Sequence, residues 1–280
     1  SLRQRLEHTR ADWGCCILME TSTGEIKAIN NLKRTSEGTY QEMENHAVIR
    51  IEPGSTFKTI ALMATMEEGE IAIDDTITIS KKPWDYKGLD HKDAHKIDTV
   101  FTVRNALAIS SNIAMAKIIT RGFDGSAKKF VQSIEKLGVC DSIRSEIPGA
   151  HQNKILIPND EATIAKMSYG YFVEMTPMNI LMFYNAIANG GKMVRPYIVK
   201  EIRKQGDVIE TFDTEVIQSS ICSRSTLRDI KSALHDVVWD NALGTASVSK
   251  WGNKKAQSKL VSIAGKTGTA EQVSSRPNHA

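Results

Sequence analysis

The spacing of apolar and polar residues switches between strand-like and helix-like periods along this chain. Trp13 to Met19 (W-G-C-C-I-L-M) is a short apolar run that predicts a strand, Thr21-Ser-Thr-Gly24 a turn, and Glu25 to Asn30 the returning strand. Residues 31–50 are polar and read as loop. Pro53-Gly54 then precedes Ser55 to Met66, where Phe57, Ile60, Ala61 and Ala64 fall at helical spacing and predict a buried helix. Residues 80–98, rich in Lys, Asp and His, read as an exposed connection. From Val103 the helical period returns, with a polar break at Ser110-Ser111-Asn112 before Ile113 to Ile119. Asp124 to Leu137 carries Phe130, Val131, Ile134 and Leu137 on one stripe of an amphipathic helix. Thr176-Pro177 predicts an N-cap followed by proline in the first turn, and Asn189-Gly190-Gly191 the stop. A hairpin is expected from Tyr197 to Ile202 and Val208 to Phe212 about Gln205-Gly206, then an amphipathic helix over Ser223 to Val238. A short apolar strand, Leu260 to Ala264, leads into Gly265-Lys266-Thr267-Gly268-Thr269.

Strands at both ends with helices between predict an α/β (α+β) architecture, one domain in two lobes, with no Pro/Gly/Ser-rich linker dividing it. Length and composition change little in that picture. Lys plus Arg outnumber Asp plus Glu by 36 to 33, and a net charge of +3 is too small to make nucleic acid or an acidic membrane surface the main partner. No apolar run approaches the roughly 18 residues needed to cross a bilayer, and Ser1-Leu-Arg-Gln-Arg-Leu-Glu is too charged for a signal peptide. Cys15, Cys16, Cys140 and Cys222 lack metal-ligand spacing and read as small buried hydrophobes. His91 and His95, with Asp90, Asp93 and Asp98 nearby, could suggest a metal, but without H-E-x-x-H they read as a solvated charge run.

The candidate chemistry starts with Ser-x-x-Lys, which occurs at Ser55/Lys58, Ser126/Lys129, Ser133/Lys136 and Ser247/Lys250. Four matches make the bare pattern weak, and context separates them. Ser126 and Ser133 lie on the amphipathic helix with solvated lysines, and Ser247 sits in a polar stretch. Only Ser55 opens a predicted helix behind Pro53-Gly54. There its hydroxyl lies near unsatisfied backbone N–H groups and the positive end of the helix dipole, which suit a developing oxyanion. Lys58, one turn on, is within reach of that hydroxyl, and the apolar run beside it would lower its pKa towards that of a base. Ser110-x-Asn112 is the second signal, because polar residues amid Leu107, Ile109, Ile113 and Met115 are costly unless they line a cleft. Lys266-Thr267-Gly268 is the third: a cation and hydroxyls that attract a carboxylate, on a strand edge that could receive an extended peptide.

S-x-x-K, S-x-N and K-T-G in that order match the motif set of penicillin-binding proteins and class A β-lactamases. The chain resembles the transpeptidase domain of a class B penicillin-binding protein, of the division type found in Bacteroidetes. Glu52-Pro-Gly-Ser-Thr-Phe-Lys58, Ser110-Ser-Asn112, Lys266-Thr-Gly-Thr269, Thr176-Pro177 and Ala188-Asn-Gly-Gly191 all fit. The resemblance implies an antiparallel sheet flanked by helices plus an all-helical lobe, with residues 1–280 forming one penicillin-binding domain without the anchor, pedestal and last strands of longer members. It implies Ser55 as acylated nucleophile, Lys58 as its base, Ser110 as proton donor to the leaving amine, and Asn112 holding Lys58 and the substrate amide. Lys266 would supply positive potential, and Thr267, Gly268 and Thr269 would bind the substrate, with the N–H groups of Ser55 and Thr269 as oxyanion hole. The implied reaction is a 4→3 cross-link between peptidoglycan stem peptides, blocked covalently by β-lactam antibiotics, with no metal or nucleotide cofactor. Membrane glycosyltransferase and division proteins as partners, and the periplasmic face of the inner membrane as location, are likewise inherited from the resemblance.

Two departures bear on these expectations. Phe172, in Gly170-Tyr171-Phe172, stands where the family usually has a second glycine, so a different backbone is expected there. Eleven residues follow Thr269, whereas family members continue with two more strands and a helix, so the strand carrying Lys266 would lack a neighbour and this chain alone is expected to be unstable or poorly active. Rival readings are a serine β-lactamase, a β-lactam sensor or D,D-carboxypeptidase, and a catalytically silent division scaffold. Against β-lactamase, Glu161 is the only candidate for a water-activating carboxylate and has Ala165, not Asn, four residues on.

Overall fold

A computed structural model describes residues 1–94, 97–139, 147, 154–155, 161–247 and 256–269. Its chain order is α1 (Leu2–Thr9), β1 (Trp13–Met19), β2 (Ile26–Arg34), β3 (Tyr40–Gln41), α2 (Lys58–Glu67), β4 (Thr76–Ile79), β5 (Trp84–Tyr86), β6 (Leu89–His91) and β7 (Thr99–Thr102). There follow α3 (Val103–Ala108), α4 (Asn112–Gly122), α5 (Ala127–Lys136), β8 (Lys154–Ile155), α6 (Ile164–Met167), β9 (Val173–Glu174), α7 (Pro177–Ala188), β10 (Met193–Val194), β11 (Glu201–Lys204), β12 (Asp207–Thr211), β13 (Val216–Gln218) and α8 (Arg224–Trp239).

One lobe is built on the antiparallel sheet β1-β2-β3, in which Trp13 pairs with Lys33 and Ile17 with Ile29. The apolar run Trp13–Met19 supplies the central pairing, as its pattern predicts, but β2 runs on to Arg34 and Tyr40–Gln41 adds a third strand inside a stretch read as loop. Tyr40 explains the difference. Its apolar neighbours, Leu32, Met43, Val48 and Ile49, are too scattered among polar residues for a periodic signal, yet Tyr40 is buried and donates its hydroxyl proton to the Ala11 carbonyl at 2.6 Å.

The second lobe gathers α2 to α6 with short ribbons β4–β7 and β5–β6. Helix α2 is its axis: every residue from Lys58 to Thr65 is buried, as expected of a helix enclosed on all sides. It shares one apolar core with α4, α5, α7 and α8 through Ile60, Met63, Met115, Ile119, Phe130, Phe183 and Ile230. Truncating a residue such as Leu62, fully enclosed, would cost about 2–5 kcal/mol.

The capping chemistry sets the helix starts where the sequence places them. Thr176 caps α7 with proline behind it, Ser223 caps α8, and Ser111 caps α4 by accepting from Ala114 N at 2.9 Å. Four sequence readings need correction. The cysteines are not all buried hydrophobes: Cys16 is exposed in β1, and Cys15 and Cys222 are only half-buried, because an edge strand and a bend leave them near the surface. Residues 80–98 are not merely an exposed connection, because they contain the β5–β6 hairpin and His91 is fully buried. Leu260 to Ala264 forms no strand; Leu260 and Val261 are exposed, and the segment is held to α8 by Trp239 Nε1 donating to Ile263 O at 2.8 Å and Gly265 N donating to Leu234 O at 3.1 Å. The expected hairpin also starts later than Tyr197, at Glu201. Cys140, His95 and Lys250 lie outside the described residues.

Candidate active site

A tight turn, Gly54–Phe57, feeds directly into α2, so Ser55 stands at the head of the buried helix and Lys58 is its first α-helical residue. The Lys58 N–H donates back to the Ser55 carbonyl, which fixes their relation through the backbone. Gly170, at the end of α6, packs on this turn with φ +92°, and a Cβ there would lie 2.2 Å from Gly54 O. Only glycine permits that approach. Two residues on, Phe172 also adopts a left-handed backbone, φ +61°, and its N–H donates to Glu52 Oε1 at 3.3 Å. The substitution of Phe for glycine therefore leaves a glycine-like conformation in place, at about 1–2 kcal/mol of strain.

Ser110 occupies the sharp corner between α3 and α4, at φ +61°. A left-handed serine is uncommon and costs energy that its surroundings must hold. Here Lys58 Nζ donates to Ser110 O at 2.6 Å and to Ser110 Oγ at 3.1 Å, and Lys266 Nζ donates to the same Oγ at 2.8 Å. The two lysines, from the first and third motifs, thus converge on the serine of the second. Lys58 is completely enclosed; burial first, then the charge of Lys266, holds its pKa well below the usual lysine range, with Asp93 opposing. Desolvation pushes Lys266 down to about 7. An amine that is neutral near pH 7 keeps a lone pair able to accept a proton.

The third motif reaches the site without strand pairing. Gly268 lies against Thr56, where a Cβ would come 2.8 Å from Thr56 Cγ2, so its lack of a side chain lets the chain pass beside the nucleophile turn. Thr267 Oγ1 lies 2.7 Å from Thr245 Oγ1. Ser55, Ser110, Asn112, Thr267 and Thr269 line one open cleft of about 560 Å³, together with Tyr169, Tyr171, Thr245 and the segment Lys92–Ala94.

Seven of the sequence-derived candidates are accounted for by that cleft and its lysines, and Gly268 by the approach to Thr56. Asn112 differs in one respect: its Nδ2 donates to Lys92 O at 3.0 Å, and the hydrogen bonds of Lys58 fall on Ser110 instead. The other serines of the S-x-x-K pattern have structural occupations. Ser126 caps α5, Ser133 donates to Glu68 at 2.8 Å, and Ser247 is buried against Asn241 at 2.7 Å. The sequence reading missed Thr245, Tyr169 and Tyr171 as lining residues, since nothing local distinguishes them. His91 donates to or accepts from the Tyr169 hydroxyl at 2.8 Å, and no cluster of three or more His, Cys, Asp or Glu able to hold a metal occurs among the described residues.

A family model described as the penicillin-binding protein transpeptidase domain matches residues 14–280. A peptidoglycan D,D-transpeptidase FtsI homolog of Mesostigma viride is 24% identical over 95% of this chain and 48% of its own length. Peptidoglycan D,D-transpeptidase FtsI of Buchnera aphidicola is 26% identical over 97% of this chain and 45% of its own. This chain thus spans about half the length of these curated relatives. Among solved structures, penicillin-binding protein 2X of Streptococcus thermophilus superposes with a TM-score of 0.80 at 19% identity, over 96% of this chain and 40% of that one. The family match over nearly the whole chain, joined to a buried S-x-x-K lysine that meets the S-x-N and K-T-G motifs in one cleft, makes this chain a member of the penicillin-binding protein transpeptidase domain family, of class B.

Proposed function

We propose that this chain is the catalytic domain of a peptidoglycan D,D-transpeptidase that forms 4→3 cross-links through an acyl-enzyme on Ser55. The observation that carries the reading is the shared contact of Lys58 and Lys266 with Ser110 Oγ, at 3.1 and 2.8 Å, in the cleft that Ser55 lines. In this reading Ser55 Oγ attacks the carbonyl of the penultimate D-alanine while the Lys58 amine takes its proton. Charge develops on the carbonyl oxygen, next to the N–H groups of Ser55 and Thr269. Collapse breaks the peptide C–N bond, and the terminal D-alanine leaves with a proton passed through Ser110. Ser110 Oγ accepts from both lysines, which leaves its own O–H free to donate into the cleft. Lys266, Thr267 and Thr269 hold the substrate carboxylate, and Asn112 faces the substrate amide. The amine of a second stem peptide then attacks the ester, forms the cross-link and restores the Ser55 hydroxyl. A β-lactam follows the first half of this path, but its leaving nitrogen stays tethered.

Slow deacylation fits the site. Asp93 is the one carboxylate among the described lining residues, and its oxygens are engaged by the start of α4. Glu161 is exposed and ion-paired with Lys87, away from the lining, which weighs against a β-lactamase. A septal role, a membrane anchor with the domain on the periplasmic face, and glycosyltransferase and division partners belong to the same reading and rest on the family resemblance. A fluorescent penicillin provides the test: long-lived covalent labelling that disappears in Ser55→Ala is expected. Labelling that survives in Ser55→Ala, or an adduct released within seconds, would overturn the assignment.

A further inference from the structure

The segment after β6, expected to be a solvated charge run, meets the second motif at close range. Asp93 Oδ1 accepts from Asn112 N at 2.5 Å and from Ile113 N at 3.0 Å, while Oδ2 accepts from Ser111 Oγ at 2.6 Å. Lys92 O accepts from Asn112 Nδ2 at 3.0 Å, and His91, fully buried, is joined to Tyr169 across the cleft wall. Ser111 in turn caps α4, so Asp93 grips both the cap residue and the backbone amides behind it. On the other side of that turn stands Ser110, held left-handed at φ +61° with its Oγ between the two lysines.

We propose that Asp93 is a positioning residue for the acyl-transfer reaction: it clamps the Ser111–Ile113 backbone and so holds Ser110 and Asn112 in working orientation. The proposal rests on the transpeptidase reading above and adds a residue outside its three motifs. The chemistry favours a carboxylate at this place. One oxygen takes two amide N–H groups at a helix start, where negative charge is favourable, and the other takes a hydroxyl. No neutral side chain of this length accepts all three, because an amide presents an NH2 where the second oxygen stands. A strained corner next to a nucleophile has to be held from outside, and a misplacement of about 1 Å at such a site costs on the order of 10²-fold in rate.

The charge of Asp93 gives the test a readout that a mere helix cap would not move. The charged groups facing Lys58 are Lys266 from the C-terminal segment and Asp93 from the segment after β6; Lys266 lowers the Lys58 pKa and Asp93 raises it. In Asp93→Asn the Lys58 ammonium loses its facing anion and gives up its proton at lower pH. Second-order acylation by a fluorescent penicillin should be followed from pH 5 to 9 in the wild-type chain, Asp93→Asn, Asp93→Glu and Ser55→Ala, with thermal melting beside it. Asp93→Asn is expected to acylate on the order of 10-fold more slowly at pH 7.5, with its acid limb moved to lower pH. Asp93→Glu is expected to return the limb towards the wild-type position. A wild-type rate with an unmoved limb in Asp93→Asn would overturn the proposal, as would a rate loss that only tracks a fall in melting temperature. Failure of the parent reading shows itself separately, as wild-type labelling that is absent or independent of Ser55.

Discussion

Replacing Gly170 by alanine probes how rigidly the nucleophile turn is held. The added Cβ would stand 2.2 Å from Gly54 O, 2.6 Å from Gly54 N and 2.8 Å from Gly54 C, whereas ordinary contact begins at 3.4 Å. All three neighbours are backbone atoms, so no side chain can swing aside and the two segments must part by about 1 Å. The φ of +92° adds strain of about 1–2 kcal/mol for an L-residue, and overpacking a further 1–3 kcal/mol or so. The sum, about 2–5 kcal/mol, corresponds to a fall in melting temperature on the order of 10 °C for a domain of this size. Because Gly54 adjoins Ser55, acylation should also slow by about 10²-fold. Gly69→Ala separates the two effects: it has a similar φ of +79° but nothing within 4 Å of its Cβ. Its expected behaviour is a modest loss of stability with wild-type acylation. Melting curves and the rate of fluorescent-penicillin labelling for both variants decide the matter. A Gly170→Ala protein that labels within twofold of wild type would refute the claim that this glycine sets the position of the nucleophile.

Two further outcomes are expected. Lys266 gives up its proton at about 7 in the folded chain, whereas an unfolded lysine keeps it to 10.5, so between pH 7 and 8.5 the unfolded state holds more protons and stability should rise with pH. Thermal denaturation across that window should show the rise, with a shallower slope in Lys266→Met; a flat wild-type profile would contradict the burial of this ammonium. Ser126→Ala removes the cap that accepts from Lys129 N at 3.3 Å, and should cost about 1 kcal/mol while leaving penicillin labelling unchanged. Loss of labelling there would mean that the wrong S-x-x-K serine had been assigned.

Some of this site is legible in one dimension. Ser55 and Lys58 share a helical turn, Ser110 and Asn112 share a helix start, and Lys266 to Thr269 are contiguous, so each motif is a local pattern whose spacing already implies proximity. Phe172 could be flagged as a departure from sequence, but its left-handed φ had to be seen in the fold. Asp93 could not be placed at all. In sequence it is one acidic residue among Lys, Asp and His, and only the β5–β6 hairpin brings it against residues 18 to 20 positions later. Tyr40 and the unpaired segment Leu260–Ala264 were misread for the same reason, since strand formation depends on a partner that a single run of residues does not reveal.

Most of the helices and their starts are local properties, because capping by Ser111, Thr176 and Ser223 and the 3.6-residue apolar period act over a single turn, although α1 and α6 carry too few apolar residues to be read from the pattern. The sequence by itself also determined the three motifs and their order. The apolar run around Lys58 announces a buried helix, but its complete enclosure, the meeting of Lys266 with it across Ser110 Oγ, and the contact of Asp93 with the Ser111–Ile113 turn came from the packed fold. Those properties arise from burial and from contacts between segments as far as 156 residues apart. Full desolvation and charge proximity belong to the packed chain, because they depend on groups that distant segments bring together, whereas a local pattern gives only the apolar face that such packing covers.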